Sequence, residues 1–445
     1  MYIDFLIKKF QKNKNKNAIV WNDKYYTYEW LHDRYIFWIK ELKKNNLKEG
    51  SVVIVEADFS PNSVSLMLAI IEYNCIFVPI TKSIAAKRSE FIKIAQGEVL
   101  IIVNKDDSVN ISKLSNVANH ELYVKLKEIR HPGLVLFSSG STGESKASLH
   151  DITKILKKFK IERHTLRTIT FLLYDHIGGF NTLLYILSNA GLIITLTDRS
   201  PENVLDMISR YKVELLPTSP TFLNLMLLSE AYRKRDISSL KMITYGTEPM
   251  PKSTLEKFNL LFPDIKMLQT YGLSEVGILR SKSKSSNSLW MKIGGEGFET
   301  RVVNNLLEIK AESAMLGYLN APTPFTHDGW FKTGDSVLVD GEYFKILGRK
   351  SEIINVGGEK VYPQEVENII LKVNNISEVT VFSEKNPIMG NMVCANVRLH
   401  EFEEKKKIIK KIKIMCLKYL QKYKVPVKIT IVDKDQYNAR FKKIR

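Results

Sequence analysis

Short apolar runs alternate with amphipathic segments along most of the chain. The apolar runs have the length of β-strands, and the segments between them carry apolar residues at helical spacing. Such alternation is typical of parallel sheets wound with helices. The first series comprises strands at residues 51–56, 76–79 and 99–103 and helices at residues 62–73 and 88–95. The pattern therefore predicts an α/β fold.

The alternation continues further along the chain and changes after Arg349. The second series comprises residues 192–196, 202–212, 215–216, 221–231 and 242–245. Beyond Arg349 the pattern predicts helices at residues 365–373 and 403–421 and strands at residues 379–383, 392–399 and 427–432. We therefore predict a large N-terminal body of wound α/β sheets at residues 1–347 and a small α+β domain at residues 348–445.

The composition is basic, but the sequence does not predict a basic face. The 445 residues carry a net charge of +18, and the lysines are scattered over helical segments. A nucleic-acid-binding protein concentrates its charge in a stripe, whereas only residues 405–413 and 440–445 are densely basic here. We therefore predict no nucleic-acid function.

Cysteine spacing and hydropathy predict a protein without disulfides, zinc or membrane segments. Cys75, Cys394 and Cys416 lack C-x-x-C spacing and a nearby histidine pattern, so we expect buried, free thiols. Residues 1–17 lack the apolar core of a signal peptide, and the longest apolar stretch, residues 66–80, is interrupted by polar side chains. We expect a soluble, cytoplasmic protein with no membrane partner.

The segment SSGSTGESK at residues 138–146 is the most informative in the chain. It follows an apolar run, and Gly140 and Gly143 accept positive φ, which allows backbone N–H groups to surround an anion. The Walker loop would need glycine in place of Ser145 and Ser or Thr in place of Ala147. The composition therefore predicts a polyphosphate-binding loop of another kind, with a plain solvated turn as the alternative.

Three further motifs follow in order. They are YGLSE at residues 271–275, WFKTGD at residues 330–335 and LGRKSEIINVGGEKVYPQEVE at residues 347–367. With the polyphosphate loop, they resemble the adenylate-forming (AMP-binding) enzyme superfamily of acyl- and aryl-CoA ligases, nonribosomal peptide synthetase adenylation domains and luciferases. The resemblance extends from about residue 18 to residue 445. It implies carboxylate activation with ATP and Mg²⁺, and a C-terminal lid that rotates between two half-reactions.

The resemblance assigns the polyphosphate loop to the β- and γ-phosphates of ATP. Lys146 matches the loop lysine of the family. Ser145 stands where the family usually has proline and Ala147 where it usually has glycine, and neither change removes a hydrogen-bond donor. The implied phosphate contacts are Ser138, Ser139, Gly140, Ser141, Thr142, Gly143 and Lys146.

The YGLSE motif is implied to contact the metal, the α-phosphate and adenine. The Glu275 carboxylate beside the Ser274 hydroxyl offers hard oxygen ligands that suit Mg²⁺, and the resemblance makes Glu275 catalytic. Tyr271, followed by Gly272, is expected to stack on adenine. The turn formed by Gly246, Thr247 and Glu248 resembles the other wall of the adenine and acyl pocket.

The WFKTGD motif is implied to bind ribose. Asp335 follows Thr333 and Gly334 in an expected turn, where its carboxylate would accept two hydrogen bonds from the ribose diol. Arg349 would add a second ribose or phosphate contact. The hinge position of the family, usually Asp or Lys, falls on Ser351.

The double glycine Gly357 and Gly358, followed by Pro363, suits a loop that enters an active site in one lid orientation. The resemblance assigns it to the channel for CoA or for the phosphopantetheine arm of a carrier protein. A structural turn before a helix would have much the same sequence.

The C-terminal NARFKKIR is implied to supply the lysine that contacts the carboxylate and the α-phosphate. Alignment on Phe441 and Arg445 selects Lys442, whereas alignment on the Lys-Ile pair selects Lys443. We predict that Lys442 is the catalytic residue. Phe441 replaces the usual glycine of the family.

His176 is implied to border the substrate carboxylate as a third catalytic residue. It matches the histidine common in acyl- and aryl-CoA ligases. Amino-acid-activating domains prefer an aspartate that binds the α-ammonium group, and Asp175 immediately precedes His176. Both readings of this segment stay open at the level of the sequence.

The sequence thus predicts an ATP-dependent acid–thiol ligase. It would form an acyl or aryl adenylate from a small carboxylic acid and transfer the acyl group to CoA or to the pantetheine thiol of an acyl or peptidyl carrier protein. One alternative is an amino-acid-activating enzyme for a carrier protein. The other is a degenerate, non-catalytic nucleotide-binding protein, which is suggested by the departures at Ser145, Ala147, Ser351 and Phe441.

Overall fold

The computed structural model describes residues 1–139, 144–387 and 389–444. The helices predicted at residues 62–73, 88–95, 202–212 and 221–231 are present to within two residues at each end. Helix Pro61–Glu72 begins after the capping residue Ser60 and is apolar on nearly all sides because it is buried. The α-helices are Asp4–Lys12, Tyr28–Lys44, Pro61–Glu72, Arg88–Ile94, Glu121–Glu128, Ile152–Leu156, Ile177–Ser188, Pro201–Tyr211, Pro220–Ser229, Lys252–Leu261, Pro363–Ile370 and Lys405–Tyr419.

The strand that precedes the polyphosphate loop belongs to a seven-stranded sheet. Its strands, in spatial order, are Gly317–Tyr318, Ser145–Asp151, Gly133–Ser139, Ile76–Ile80, Val52–Glu56, Val99–Val103 and Val109–Lys113. The adjacent strands Ile76–Ile80 and Val52–Glu56 run parallel and are buried along their whole length. Burial on both faces explains their nearly continuous apolar sequences.

A second seven-stranded sheet brings separate motifs to one edge. Its strands, in spatial order, are Lys266–Gln269, Met242–Tyr245, Leu215–Thr218, Arg167–Ile169, Leu192–Ile194, Asn17–Trp21 and Lys24–Thr27. The register pairs Thr218 with Tyr245 and Tyr245 with Gln269, and these strands run parallel. Their carboxyl ends therefore lie side by side, which is where ligands bind in open α/β sheets.

A six-stranded antiparallel sheet covers a stretch for which the sequence predicted wound α/β structure. Its strands, in spatial order, are Ser281–Ser283, Met291–Ile293, Tyr343–Arg349, Phe331–Asp340, Leu306–Ala311 and Phe298–Val303. Two small hairpins flank it in the chain, one pairing Gly272–Leu273 with Gly277–Ile278 and the other pairing Ile354–Val356 with Glu359–Val361. This sheet contains Asp335 and Arg349.

The C-terminal unit, residues 354–444, is built around a three-stranded sheet. Strand Ile376–Asn386 pairs with Gly390–Leu399, which pairs with Lys428–Ile431. Helices Pro363–Ile370 and Lys405–Tyr419 contribute to the same apolar core, which is separate from the cores of the large body. The elements predicted after Arg349 are all present.

The three cysteines are buried and free, as predicted. Burial raises the pKa of the Cys416 thiol to about 11, so this thiol stays protonated and inert at neutral pH. Within the ranges that the structure describes, no helix is both long enough and apolar enough to cross a bilayer.

Candidate active site

The edge of the second sheet is shaped by a close approach of two backbone segments. A Cβ atom on Gly246 would lie 2.6 Å from Thr270 Oγ1 and 2.8 Å from its carbonyl oxygen, so glycine is required there. Thr247 follows with a φ of +73°. Glu248 Oε1 then accepts hydrogen bonds from the backbone N–H, at 2.8 Å, and the hydroxyl of Thr221. The turn is thereby fixed against helix Pro220–Ser229.

Asp335 lies beside Tyr271 and Arg349. The Tyr271 hydroxyl donates a hydrogen bond of 2.5 Å to Asp335 Oδ2, and Arg349 Nε lies 3.5 Å from Oδ1. The expectation that Asp335 sits in a turn is wrong, because it lies inside the strand Phe331–Asp340 and pairs in register with Arg349. The Thr-Gly-Asp sequence suggested a turn, and Gly334 does have a positive φ of +73° within the strand.

Burial dominates the electrostatics of this carboxylate. Asp335 is only 6 % exposed, and burial raises its pKa above the ordinary range, while the charge of Arg349 and the hydrogen bond from Tyr271 act in the opposite direction. Burial together with the neighbouring Asp335 raises the pKa of Tyr271, so its hydroxyl keeps the proton that it donates. The hydrogen bond from Tyr271 therefore holds the Asp335 carboxylate in place as a hydrogen-bond acceptor.

Glu275 lies in the turn of the hairpin that pairs Gly272–Leu273 with Gly277–Ile278. A Cβ atom on Gly272 would lie 2.7 Å from the Gly277 carbonyl oxygen, which explains the glycine. Glu275 Oε1 accepts a 2.7 Å hydrogen bond from the Tyr318 hydroxyl, and the Lys146 ammonium lies 5.5 Å from the centre of that tyrosine ring. Oε2 forms no hydrogen bond within the described part of the chain, so it suits a cation such as Mg²⁺.

His150 links the strand after the polyphosphate loop to the YGLSE hairpin, a contact that the sequence did not predict. The buried imidazole Nε2 lies 2.6 Å from the Ser274 carbonyl oxygen, and Nδ1 lies 3.3 Å from that of Ser313. Burial lowers the pKa of His150, so the ring is neutral and donates through one nitrogen. It fixes the backbone between Leu273 and Glu275.

The strand after the polyphosphate loop explains two departures from the expected motif. Ala147 is fully buried in an apolar cluster, and Ser145 Oγ lies 3.4 Å from Lys87 Nζ. The Asn320 side chain bonds to the backbone of both residues, at 2.8 and 3.0 Å. In the register of the two strands, Ser138 pairs with Lys146. Gly140, Ser141, Thr142 and Gly143, and the side chain of Ser139, lie outside the described residues.

His176 caps the N-terminus of helix Ile177–Ser188. Its Nδ1 accepts a hydrogen bond of 3.1 Å from the backbone N–H of Gly178, so the neutral ring carries its proton on Nε2. Burial lowers the pKa of His176 to about 3, and the charges of Arg440 and Lys442 act in the same direction. The imidazole is therefore neutral at physiological pH.

The C-terminal tail, residues 437–444, crosses from the C-terminal unit to the body. Its two lysines, Lys442 and Lys443, have different surroundings. Lys443 Nζ lies 2.8 Å from the buried carboxylate of Glu367 in its own unit. The Lys442 ammonium has no hydrogen bond or ion pair with the described residues. Burial and the charge of Arg349 lower its pKa, while Glu248, Glu352 and Asp335 act in the opposite direction. Lys442 is thus the available cation.

Phe441 packs the tail against the body. Its φ is +49°, an uncommon conformation for a bulky residue. The ring packs against Phe171 and Phe222 at centroid distances of 5.2 and 5.4 Å, and its carbonyl oxygen accepts a 2.8 Å hydrogen bond from Ser219. Phe441 stands where the resemblance led us to expect glycine, and its aromatic contacts hold the tail on the body.

Two family models match most of the chain. The model of the AMP-binding enzyme family matches residues 6–292, and the model of the AMP-binding enzyme C-terminal domain matches residues 365–442. The chain belongs to the AMP-binding enzyme family. The matched ranges include the YGLSE motif in the body and Lys442 in the tail.

Curated relatives of this AMP-binding enzyme are ligases. The indoleacetate–CoA ligase of Aromatoleum aromaticum is 27% identical over 292 residues, which cover 60% of this chain and 57% of the relative. The 3,4-dihydroxybenzoate–[aryl-carrier protein] ligase of Bacillus anthracis is 26% identical over 362 residues, which cover 77% of this chain and 82% of the relative. The chain spans about half to three fifths of the length of the CoA ligases that it matches.

Solved structures confirm the predicted fold class. The crystal structure of an anthranilate CoA ligase in complex with anthranoyl-AMP superposes with a TM-score of 0.82 at 19% identity, covering 99% of this chain and 95% of that one. The superposed part, 99% of this chain, takes in the antiparallel sheet that the apolar pattern did not predict.

The structure brings several of the predicted site residues near one another. The charges of Arg349, Glu248 and Asp335 act on the pKa of Lys442, and the charge of Lys442 acts on the pKa of His176. Gly357 and Gly358 form the tip of the hairpin Ile354–Val356 with Glu359–Val361 and are exposed. A Cβ atom on Gly358 would have no neighbour within 4 Å, so this tip is not packed into the site in the present orientation.

Proposed function

We propose that this chain activates a carboxylic acid as an acyl or aryl adenylate and then transfers the acyl group to a thiol. The position of Lys442 carries the proposal. It is a partly buried cation without a protein ion-pair partner among the described residues, and Arg349 lowers its pKa whereas Asp335 raises it. Such a charge is suited to stabilise negative charge that develops between a carboxylate and the α-phosphate of ATP.

Asp335 and Tyr271 serve the nucleoside in this proposal. The Asp335 carboxylate accepts from the ribose hydroxyls, and Tyr271 and Arg349 hold it in place. The loop at residues 138–146 binds the β- and γ-phosphates through N–H and hydroxyl donors. Mg²⁺ bound near Glu275 would offset phosphate charge. A carboxylate oxygen of the acid then forms a bond to the α-phosphorus as the bond to pyrophosphate breaks.

The surroundings of Asp175 favour an acyl or aryl acid over an amino acid. An amino-acid-activating enzyme would direct an aspartate at the α-ammonium group. Asp175 Oδ2 instead accepts a 3.1 Å hydrogen bond from the Thr81 hydroxyl and lies 3.3 Å from Arg440 Nη2. The adjacent His176 is uncharged. A neutral imidazole is compatible with a position at the border of the acyl pocket, next to the substrate carboxylate.

The second half-reaction uses residues 348–445 as a lid. After pyrophosphate leaves, rotation of the lid removes Lys442 and brings the tip at Gly357 and Gly358 beside the adenylate. The thiol sulfur of a phosphopantetheine arm forms a bond to the acyl carbon, its proton passes to solvent and AMP leaves. CoA and a carrier protein both present this arm. The similarity to an aryl-carrier protein ligase over most of both chains supports testing a carrier.

Pyrophosphate exchange across a panel of aryl, fatty and amino acids tests the proposal. We expect ATP-dependent exchange with an aryl or acyl acid, and thioester formation from the same acid with CoA or with a phosphopantetheinylated carrier. Exchange with amino acids alone would replace it by amino-acid activation. Failure of every acid, with ATP binding retained, would favour a non-catalytic nucleotide-binding protein.

Asp335→Ala is expected to raise the KM for ATP. The substitution leaves ribose hydroxyls and the Tyr271 hydroxyl without their acceptor, which costs about 1–3 kcal/mol, or about 5- to 150-fold in KM. Steady-state kinetics at saturating acid measure the change. Asp340→Ala, at the exposed end of the same strand, is the control. An unchanged KM in a folded Asp335→Ala variant would remove Asp335 from the ribose site.

A further inference from the structure

Asp175 is a buried carboxylate with an unusual partner. It is 4 % exposed and lies between strand Arg167–Ile169 and helix Ile177–Ser188 of the body. Its Oδ2 contacts the Thr81 hydroxyl and the Arg440 guanidinium, while Oδ1 has no hydrogen-bond partner in the described structure. Arg440 therefore supplies the cation for this carboxylate, and it comes from the C-terminal tail.

Arg440 is rigidly connected to Lys442. The Asn438 side-chain oxygen accepts hydrogen bonds from the backbone N–H groups of Arg440, at 2.9 Å, and Lys442, at 3.2 Å. The Asn438 N–H in turn donates to the Lys442 carbonyl oxygen at 3.0 Å, and Tyr437 forms a β-bridge with Lys443. The tail is thus a compact turn in which the position of Arg440 constrains that of Lys442.

The contact between Arg440 and Asp175 depends on the position of the tail. The other seats of the tail on the body are the Phe441 ring, the Ser219 hydrogen bond and a 3.2 Å hydrogen bond from the Lys443 N–H to Glu248. When the tail leaves, the Thr81 hydroxyl is the hydrogen-bond partner that Asp175 keeps among the described residues. A buried carboxylate deprived of its cation is strongly unfavourable, so this ion pair favours the orientation in which Lys442 is at the site.

We propose that Arg440 and Asp175 are positioning residues that hold Lys442 in the adenylation orientation through an ion pair between tail and body. The inference rests on the proposed function, in which Lys442 acts in the first half-reaction. Neither residue needs to touch the substrate. The pair stabilises one of two orientations, so its loss lowers the fraction of molecules competent for adenylation.

Half-reaction assays test the proposal with the acid found by pyrophosphate exchange. Arg440→Ala should lower the exchange rate about tenfold or more, the range of coupling between contacting residues. Thioester formation from supplied acyl adenylate should not fall. Arg440→Lys should restore part of the exchange rate because it keeps the charge. Lys434→Ala, an exposed lysine before the tail turn, is the matched control. Equal loss in both half-reactions would overturn the proposal.

Asp175→Asn, alone and combined with Arg440→Ala, tests whether the two side chains act as an ion pair. Thermal unfolding tests separately whether each variant folds. If the two groups act as a pair, Asp175→Asn combined with Arg440→Ala should be no slower in exchange than Arg440→Ala alone. Additive losses would contradict the pairing. Thermal unfolding identifies variants that fail to fold, and Arg440→Ala, which removes a partly exposed side chain, remains informative if Asp175 variants do not.

Hydrogen exchange provides a readout that does not require an active enzyme. In Arg440→Ala, backbone amides at residues 437–444 should exchange faster, while those of strands Ile376–Asn386 and Gly390–Leu399 should be unchanged. If hydrogen exchange in the tail is unchanged in Arg440→Ala, the inference is overturned, even if the acid substrate is never found. If hydrogen exchange in the tail is faster in this variant but the unmodified protein shows no pyrophosphate exchange, the proposed function is refuted and the contact between tail and body still stands.

Discussion

Lys442→Ala should lower the rate of acyl-adenylate formation by about 10²- to 10³-fold, the usual loss for one preorganised electrostatic donor. The Lys442 side chain is partly buried and has no protein ion-pair partner among the described residues, whereas the neighbouring Lys443 pairs with Glu367. Thioester formation from supplied acyl adenylate should be spared, because in the proposed mechanism Lys442 leaves the site when the lid rotates. Pyrophosphate exchange and single-turnover thioester formation measure the two effects.

Two other tail lysines serve as comparisons for Lys442. Lys434→Ala should leave both half-reactions unchanged, because this side chain is exposed. Lys443→Ala should lower the unfolding temperature instead, because it removes the cation next to Glu367, which is 1 % exposed. If Lys443→Ala abolishes pyrophosphate exchange in a folded protein and Lys442→Ala does not, the assignment between the two lysines is reversed.

Gly358→Trp should separate the half-reactions in the opposite sense. Nothing lies within 4 Å of a Cβ atom at this position in the present orientation, which we propose is the one for adenylation, so adenylate formation should continue. After lid rotation an indole would occupy the thiol channel, and thioester formation should fall by about 10²-fold, since misplacing a reacting group by about 1 Å has that effect. Pyrophosphate exchange and thioester yield with CoA and with a carrier measure both steps.

Gly358→Asn controls for backbone strain at this position. Gly358 has a φ of +91°, and asparagine tolerates positive φ better than most residues, so this variant should keep more thioester activity than Gly358→Trp. Equal loss of both half-reactions in Gly358→Trp, with Gly358→Asn unaffected, would show that the tip serves adenylation or folding. The two-step lid proposal would then have to be abandoned.

The parallel parts of the fold were predictable because their signals are local. Residues 52–55 and 99–103 are continuous apolar runs in strands that are buried wholly or at alternate positions, and helix Pro61–Glu72 has a capping serine and a proline in its first turn. The antiparallel sheet of residues 281–349 was missed because its strands are short or partly exposed, with no helices between them. The strand around Asp335 carries the local signal of a turn because Gly334 and Asp335 are common turn residues, although both lie within the strand.

The site was predictable only where a motif is continuous in sequence. The strands bring Tyr271, Asp335 and Arg349 together, but each was recognised from its own motif. His150, Tyr318 and Asn320 were missed, since each acts through a partner more than 40 residues away in the chain. Arg440 belongs to the densely basic residues 440–445 and has no separate role predicted from the sequence, and only the fold brings it to Asp175.

The packing of Phe441 would give the proposed lid rotation a thermal signature. Each departure of the tail would expose an aromatic ring that packs against Phe171 and Phe222, and exposure of apolar surface raises the heat capacity. Since hydrophobic contact weakens on cooling, the balance between the two orientations should shift towards the released tail at low temperature. An Eyring plot of adenylate formation should therefore curve, and Phe441→Gly should make it straighter.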